Sequence, residues 1–437
     1  MPEETIPSKA KSVKSLTSFA KRSAQLAAGF ACAIALTAGV PTVAGAQVLT
    51  TDDVCGKTAD VRGITTENLP DIEATNALVM GKDGTVYYGR GADEQVKIAS
   101  ITKVMTAILT VENCKMDEKV TVSNAAATVG NSTAGLLEGD ELTVEQALRG
   151  LMTPSGNDAA IVLAEYVGKK IDPKTKDAEA TFVKAMNERA KKLGCTGTLF
   201  ENPHGLDFDE WAGDMHSTAH DVALMMQEAM KNDTIREVVA SEDSWIEVTG
   251  ADGTDHSHSM DTHNVLLGQD GNIGGKTGTT DDAGCCVCAV AERDGMTLIA
   301  VILGAPDSDT RFEETKQLLD YGFSSFMIYQ PQQEEVQAQL TPVPVVCGAQ
   351  TEVLPQVGEL PKAVVRRDEA EEIEVAVELV PELQAPVLQG DSIGTVSLIR
   401  QGETLSQEPL TASQTVERMT FAKSLKALLR GLAQVQG

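Results

Sequence analysis

Apolar residues recur along the chain at two different spacings, and the order of those spacings divides it into regions. Residues 76–80 and 85–88 are short β-type runs separated by Gly81-Lys82-Asp83-Gly84, which predicts a β-hairpin. From Ser100 to about residue 230 the pattern is helical. The segment after Lys103 stays apolar and helix-compatible through Val111, which predicts a buried helix opening at Ser100. Thr143 and Gln146 form a capping-box pair that opens a helix through Leu151, and residues 158–167 predict another. Phe182, Val183, Met186, Ala190 and Leu193 mark the core face of a third helix that stops at Gly194. Ser217 or Thr218 caps a fourth, which carries Val222, Leu224, Met225, Met226 and Ala229. Strand patterns return at 275–280, 285–290 and 296–303, and a last helix over 311–321 is expected to end at Gly322. Strands, a helical block, then strands and a helix predict an α/β fold whose sheet is split by an inserted all-α region.

Beyond Phe323 the character changes. Residues 332–339 are polar and linker-like, Pro342 and Pro344 punctuate the chain, and Ile373, Val375, Val377 and Leu379 alternate as in a strand. Residues 392–399 give another strand after the Gly390-Asp391 turn, so a separate small all-β domain is expected. At the extreme C-terminus, Phe421, Leu425, Leu428, Leu429, Leu432 and Val435 project on one helical face and Lys423, Lys426 and Arg430 on the other. A basic amphipathic helix ending an acidic chain is expected to lie on a membrane surface; the alternative is a helix docked on its own domain.

The N-terminus adds an address. Residues 1–22 are polar and lysine-rich, 24–40 run apolar, and Ala44-Gly45-Ala46 fits a small-residue cleavage pattern, so a secretory signal peptide cut before Gln47 is expected. An uncleaved anchor is the alternative. Cleavage removes five basic and two acidic residues and takes the formal charge from −28 to −31. Such acidity argues against a nucleic-acid partner, because phosphate binding needs a basic face. Seven cysteines remain, an odd number, so at least one is free or bridges two molecules. The cluster Cys285-Cys286-Val287-Cys288 invites a metal, but its apolar setting reads as a buried strand in which cysteine serves as a small hydrophobe.

Candidate chemistry begins at Ser100 and Lys103. Residues i and i+3 share a helical face, so the lysine amine can reach the serine hydroxyl, and a desolvated neutral lysine can take its proton. The motif alone is weak, since Ser8 to Lys11 and Ser18 to Lys21 repeat it within the expected signal segment. Ser155-Gly156-Asn157 lies in a loop between two helices, where a hydroxyl and an amide can face a cleft. Lys276-Thr277-Gly278 follows Gly274-Gly275 at the start of a strand, whose edge can offer a cation, a hydroxyl and free backbone groups. A phosphate loop is a poorer reading of it, because Asp270 stands where the first glycine of that motif belongs.

S-x-x-K, S-x-N and K-T-G in this order are the set found in penicillin-binding proteins and serine β-lactamases. With segments 151–160, 200–206, 217–221 and 311–315, the chain resembles the low-molecular-mass penicillin-binding proteins of the D-alanyl-D-alanine carboxypeptidase family. The resemblance implies an antiparallel sheet flanked by helices with an all-α region, and a division into 1–46 signal peptide, 47–328 catalytic domain, 329–412 β domain and 413–437 membrane-surface helix. It implies catalytic roles for Ser100, Lys103, Ser155 and Asn157: nucleophile, proton acceptor, proton relay to the leaving D-alanine, and orientation of Lys103 and the substrate amide. Lys276, Thr277, Gly278 and Thr279 would bind substrate, with an oxyanion hole from the N–H groups of Ser100 and Thr279. The implied substrate is a peptidoglycan pentapeptide stem, β-lactams are the implied inhibitors, and no cofactor or metal is needed. Export would place the enzyme at the outer face of the cytoplasmic membrane, in the cell wall space. A serine β-lactamase and a non-catalytic wall- or penicillin-binding protein are the alternatives. Met215 departs from the family by standing where a histidine is usual, with His216 displaced by one, and His204 and His216 are expected to be structural.

Overall fold

The computed structural model describes residues 51–242 and 244–422, so the expected signal peptide and residues 423–437 of the expected terminal helix lie outside the described residues. Residues 413–420, expected in that helix, are instead non-helical and close onto the β region through the Val387–Val416 and Gly348–Arg418 bridges. The eleven strands up to residue 305 are β1 (Asp53–Val54), β2 (Lys57–Thr58), β3 (Asn76–Gly81), β4 (Val86–Arg90), β5 (Lys119–Thr121), β6 (Glu141–Thr143), β7 (Ser244–Thr249), β8 (Asp255–Met260), β9 (Asn272–Thr280), β10 (Gly284–Arg293) and β11 (Met296–Ala305). Seven of them form one antiparallel sheet in the order β2-β1-β4-β3-β11-β10-β9, which leaves β9 at its edge.

Both faces of this sheet are covered, which explains the near-continuous apolar runs of β10 and β11. Alternate residues serve opposite cores. Cys286, Cys288, Val290, Ile299 and Val301 pack toward the helical lobe, whereas Cys285, Val287, Ala289, Leu298 and Ala300 pack on the other side. The cysteine cluster is thus strand packing, and Cys55, Cys114, Cys195, Cys285, Cys286, Cys288 and Cys347 are all free.

Eight helices accompany these strands: α1 (Lys103–Asn113), α2 (Asn124–Thr128), α3 (Val144–Met152), α4 (Asn157–Ile171), α5 (Ala178–Leu193), α6 (Ala219–Ala229), α7 (Asp233–Val239) and α8 (Ser308–Ser325). All side chains from Lys103 to Thr110 are buried, so α1 is the hub on which the helical lobe packs. The capping box of Thr143 and Gln146 forms at the start of α3, Thr218 caps α6, and Gly194 ends α5 in the left-handed conformation.

Three expectations are corrected. Ser100 does not open the α-helix: it sits in a 3₁₀ turn, Ala99–Thr102, and α1 begins at Lys103. Helix α8 does not end at Gly322 but runs through it. A Cβ there would stand 2.5 Å from Leu298 Cδ1, so the glycine serves close helix–sheet packing rather than a cap. The inserted region is not purely helical either, for it contains a four-stranded antiparallel sheet, β5-β6-β7-β8. Its strand β8 reads Asp-His-Ser-His-Ser-Met and buries only Met260, so hydrophobic alternation could not reveal it.

Residues 326–420 are all-β apart from short helical turns. Phe326–Tyr329 pairs with Ala363–Arg366, and Pro355–Val357, Glu403–Ala412, Ser392–Arg400 and Ile373–Leu379 form a second sheet in that order. Residues 332–339, expected as linker, include a short helix, Gln333–Gln337, pinned by buried Val336. Among the described residues, no helix is long and apolar enough to cross a membrane.

Candidate active site

The 3₁₀ turn at Ala99–Thr102 has about three residues per turn, so Ser100 and Lys103 nearly eclipse each other. Ala99 enters it at φ +46°, a strained angle for a residue with a side chain and one that holds only where surrounding structure imposes it. Lys103 is fully buried, and its Nζ lies 2.8 Å from Ser100 Oγ, 2.7 Å from Asn157 Oδ1 and 2.8 Å from the His204 carbonyl oxygen. Burial first, and the charge of Lys276 second, hold the Lys103 amine well below the usual lysine range. A neutral amine has two N–H groups and one lone pair. Asn157 Oδ1 and the His204 carbonyl can only accept, so they take the two N–H groups, and the lone pair is left for the Ser100 hydroxyl to donate into.

Asn157 is the first residue of α4, and its amide is fixed from both ends, because Nδ2 donates to the Gly130 carbonyl at 3.0 Å. Its own N–H bonds to Ser132 O at 2.8 Å. Ser155, two residues earlier, is a second buried residue in the left-handed region, at φ +63°. Its Oγ accepts from Lys276 Nζ at 2.8 Å. Burial and the nearby Arg311 charge lower the Lys276 amine to about 7.

Lys276 and Gly278 lie two apart on β9 and share one of its faces. A Cβ on Gly278 would stand 2.8 Å from Ile98 O and 2.9 Å from Ser100 N, so only glycine lets this strand approach the serine turn. Since β9 is a sheet edge, its outer backbone groups are available to pair with an extended peptide. Thr277 is nearly buried, and Thr279 is exposed. A cleft of about 340 Å³ lined by Asn131, Asp207, Phe208 and Thr279 opens on this side.

The structure therefore brings together Ser100, Lys103 and Asn157 in one hydrogen-bonded cluster, joins Ser155 to Lys276, and sets Gly278 against Ser100. Arg311 was not among the residues expected to act. It is buried in α8 and reaches over β9, where Nη1 donates to Gly278 O at 3.3 Å and to Thr279 Oγ1 at 3.2 Å. His263 also borders the site, its imidazole pushed down by burial and by the charges of Lys276, Arg311 and Lys103. The family-like segment 311–315 was the available signal for the first, while nothing local marked the second. His204 contributes its backbone carbonyl to Lys103, and its ring packs edge-on against Trp211 at 4.6 Å. The ring of His216 lies within 2.5 Å of the Asp214 carbonyl oxygen.

A sequence model of the D-alanyl-D-alanine carboxypeptidase family matches residues 63–307. The chain belongs to that family. Family membership carries the activity, a serine peptidase that acts as a D-alanyl-D-alanine carboxypeptidase, and with it the low-molecular-mass penicillin-binding class. A second model, the penicillin-binding protein 5 C-terminal domain, matches residues 328–418. The D-alanyl-D-alanine carboxypeptidase DacF of Bacillus subtilis is 30% identical over 362 residues, spanning 81% of this chain and 88% of its own. The carboxypeptidase DacC of Escherichia coli is 32% identical over 371 residues, spanning 82% of this chain and 87% of its own. The crystal structure of the Streptomyces K15 DD-transpeptidase superposes with a TM-score of 0.54 at 32% identity, covering 58% of this chain and 98% of that one. The carboxypeptidase DacD of Francisella tularensis, at 24% identity and a TM-score of 0.59, shares the fold over 80% of this chain and 95% of its own.

Proposed function

We propose that the chain removes the terminal D-alanine from peptidoglycan stem peptides through an acyl-enzyme on Ser100. Ser100 Oγ attacks the carbonyl between the two D-alanines as its proton passes to the neutral Lys103 amine. Asn157 holds that amine and is placed to orient the substrate amide. Ser155, in contact with Lys276, relays a proton to the departing D-alanine nitrogen. The backbone N–H groups of Ser100 and Thr279 face the developing oxyanion, where fixed donors are worth most. Lys276, Thr277 and Arg311 concentrate positive charge and donors at the β9 edge, a chemistry suited to the substrate's terminal carboxylate. Water then releases the acyl group.

The observation that carries this reading is the Lys103 amine, buried and depressed, within 2.8 Å of Ser100 and held by two acceptor-only oxygens. β-Lactams would acylate the same serine and leave slowly. The match of residues 328–418 to a penicillin-binding protein domain favours a carboxypeptidase over a β-lactamase. Labelling with a fluorescent penicillin followed by peptide mapping tests the assignment. The adduct is expected on Ser100, and an adduct elsewhere overturns it.

The site of action follows from sequence features outside the described residues. The signal-like segment 1–46 supports export, and the amphipathic pattern from Phe421 to Val435 supports attachment to the outer face of the cytoplasmic membrane. Division of the mature chain into a catalytic domain over 47–328, a β domain that continues through the bridged Val416 and Arg418, and a membrane-surface helix from Phe421 onward belongs to the same reading. A chain ending at Thr420 is expected to appear in the soluble fraction with its penicillin labelling intact. Unchanged membrane association would refute the anchor.

A further inference from the structure

Strand β8 carries His256 and His258, and residues two apart on a strand place their side chains on the same face. They meet Asp140, which is buried at the turn before β6. Asp140 Oδ2 lies 3.2 Å from His256 Nε2 and 3.8 Å from His258 Nε2, and the three donor atoms all fall within 4.8 Å of one another. The carboxylate is held in place by the Leu137 N–H, which donates to Oδ2 at 2.9 Å. The backbone closes in behind His258, where a Cβ on Gly135 would stand 3.0 Å from Nδ1. Asp158 fixes that loop by accepting the N–H groups of Ala134 and Leu136 at 2.8 and 3.0 Å.

A simple Asp–His hydrogen bond explains only half of this cluster. It uses Asp140 and His256 and leaves His258 Nε2 buried with no hydrogen-bond partner. Such a nitrogen costs stability unless something satisfies it. A cation satisfies all three groups together. Around a tetrahedral Zn²⁺ with bonds of about 2.0–2.2 Å, donor atoms stand roughly 3.3–3.5 Å apart, and the separations of 3.2 and 3.8 Å bracket that spacing. His256, partly exposed, leaves the site open to solvent for a fourth ligand.

We infer that Asp140, His256 and His258 form a binding site for a divalent first-row metal ion, Zn²⁺ by preference, separate from the Ser100 cluster. Two imidazoles and one carboxylate suit zinc and its neighbours, whereas Mg²⁺ and Ca²⁺ take oxygen ligands. The bound ion is structural. It ties edge strand β8 to the segment that begins at Gly130 and Ser132, whose carbonyls hold Asn157, and ends at Asp140.

The test uses the purified full chain, stripped with chelator and titrated with Co²⁺ and then Zn²⁺. One Co²⁺ per chain is expected, with visible d–d bands and without the thiolate charge-transfer band that binding to a free cysteine would give. Excess Zn²⁺ is expected to raise the unfolding midpoint by on the order of 5 °C. His258→Gln should weaken binding at least about tenfold. His256→Gln, at the more exposed position, should do the same and keeps the test decisive if the His258 variant fails to fold. Undiminished penicillin acylation in each variant confirms an intact active site. A wild-type chain that binds no Co²⁺ stoichiometrically, or a His256→Gln chain that binds it undiminished, overturns the assignment.

Discussion

The serine-bearing region and the C-terminal β region differ in how they bury their apolar residues. In the first, a sheet covered on both faces and a hub helix buried from Lys103 to Thr110 give two large continuous cores. In the second, buried apolar side chains fall into three small clusters around Ile393, Val396 and Leu398. Only the large core can keep two lysine amines out of water and hold Ala99 and Ser155 at strained backbone angles. Desolvation costs stability, so buried amines are found where packing is deep enough to offset it. The β region also holds non-glycine residues in the left-handed conformation, Cys347 at φ +58° and Gln401 at φ +51°, but these are exposed, and its one described lysine, Lys362, is exposed as well.

The largest effect expected from breaking this contrast is at Ser100 itself. Ser100→Ala should reduce penicillin acylation and D-alanine release by roughly 10⁴-fold or more, with little change in the unfolding midpoint. Stopped-flow acylation and calorimetry on the same preparation would show it, and D-alanine release at the wild-type rate would place the nucleophile elsewhere.

Gly278→Ala probes how closely β9 must approach. The added methyl would meet Ile98 O at 2.8 Å and crowd the Ser100 N–H at 2.9 Å. Because a displacement of about 1 Å in a positioned site costs on the order of 10²-fold, acylation should fall by about that factor while the fold persists. An acylation rate within twofold of wild type would show that the strand and the serine turn are not in the required contact.

The two lysines predict a bell-shaped pH profile. Lys103 must be neutral to accept a proton, and its depressed value means that acylation rises with pH as it discharges from acid solution. Lys276 is useful while charged, and with a value of about 7 it loses that charge as pH passes upward through neutrality. The rate should therefore decline on the alkaline side, by roughly 10-fold to 100-fold if one charge-assisted hydrogen bond to the substrate is lost. Lys276→Arg, which stays charged over this range, should remove the alkaline limb. An unchanged descending limb in that variant would assign it to another group.

Much of the large-core region was legible in the sequence because its patterns are strong and local. The hairpin at 76–90, the capping box at Thr143, the Gly194 stop and the order of the three motifs can all be read without coordinates. What was hidden depends on contacts distant in sequence. The 3₁₀ turn at Ser100 is set by its packing against β9, and Gly322 looks like a helix end until Leu298 is seen beneath it. Arg311 enters the site only because α8 crosses behind the sheet. His256 and His258 form a visible His-x-His pair, but Asp140, the residue that gives the pair meaning, stands more than a hundred positions earlier.

The smallest expected effect on catalysis comes from the other side of the comparison. Leu398 is fully buried in the sheet that joins Ile373–Leu379 to Glu403–Ala412, among only Val365, Ile373 and a few half-buried neighbours. Leu398→Ala should destabilise that region by about 2–5 kcal/mol, since a cavity remains where the side chain was. The Streptomyces K15 enzyme matches 58% of this chain over 98% of its own, so that relative reaches its fold in a shorter chain. Penicillin acylation by Leu398→Ala should accordingly stay within twofold of wild type even as limited proteolysis releases fragments from residues 330–420. Should acylation fall together with protease resistance, the two regions are energetically coupled. The contacts to examine would then be the Arg62–Glu369 pair at 3.3 Å and the stacking of Phe326 on Tyr87 at 4.6 Å, which join the β region to the main sheet.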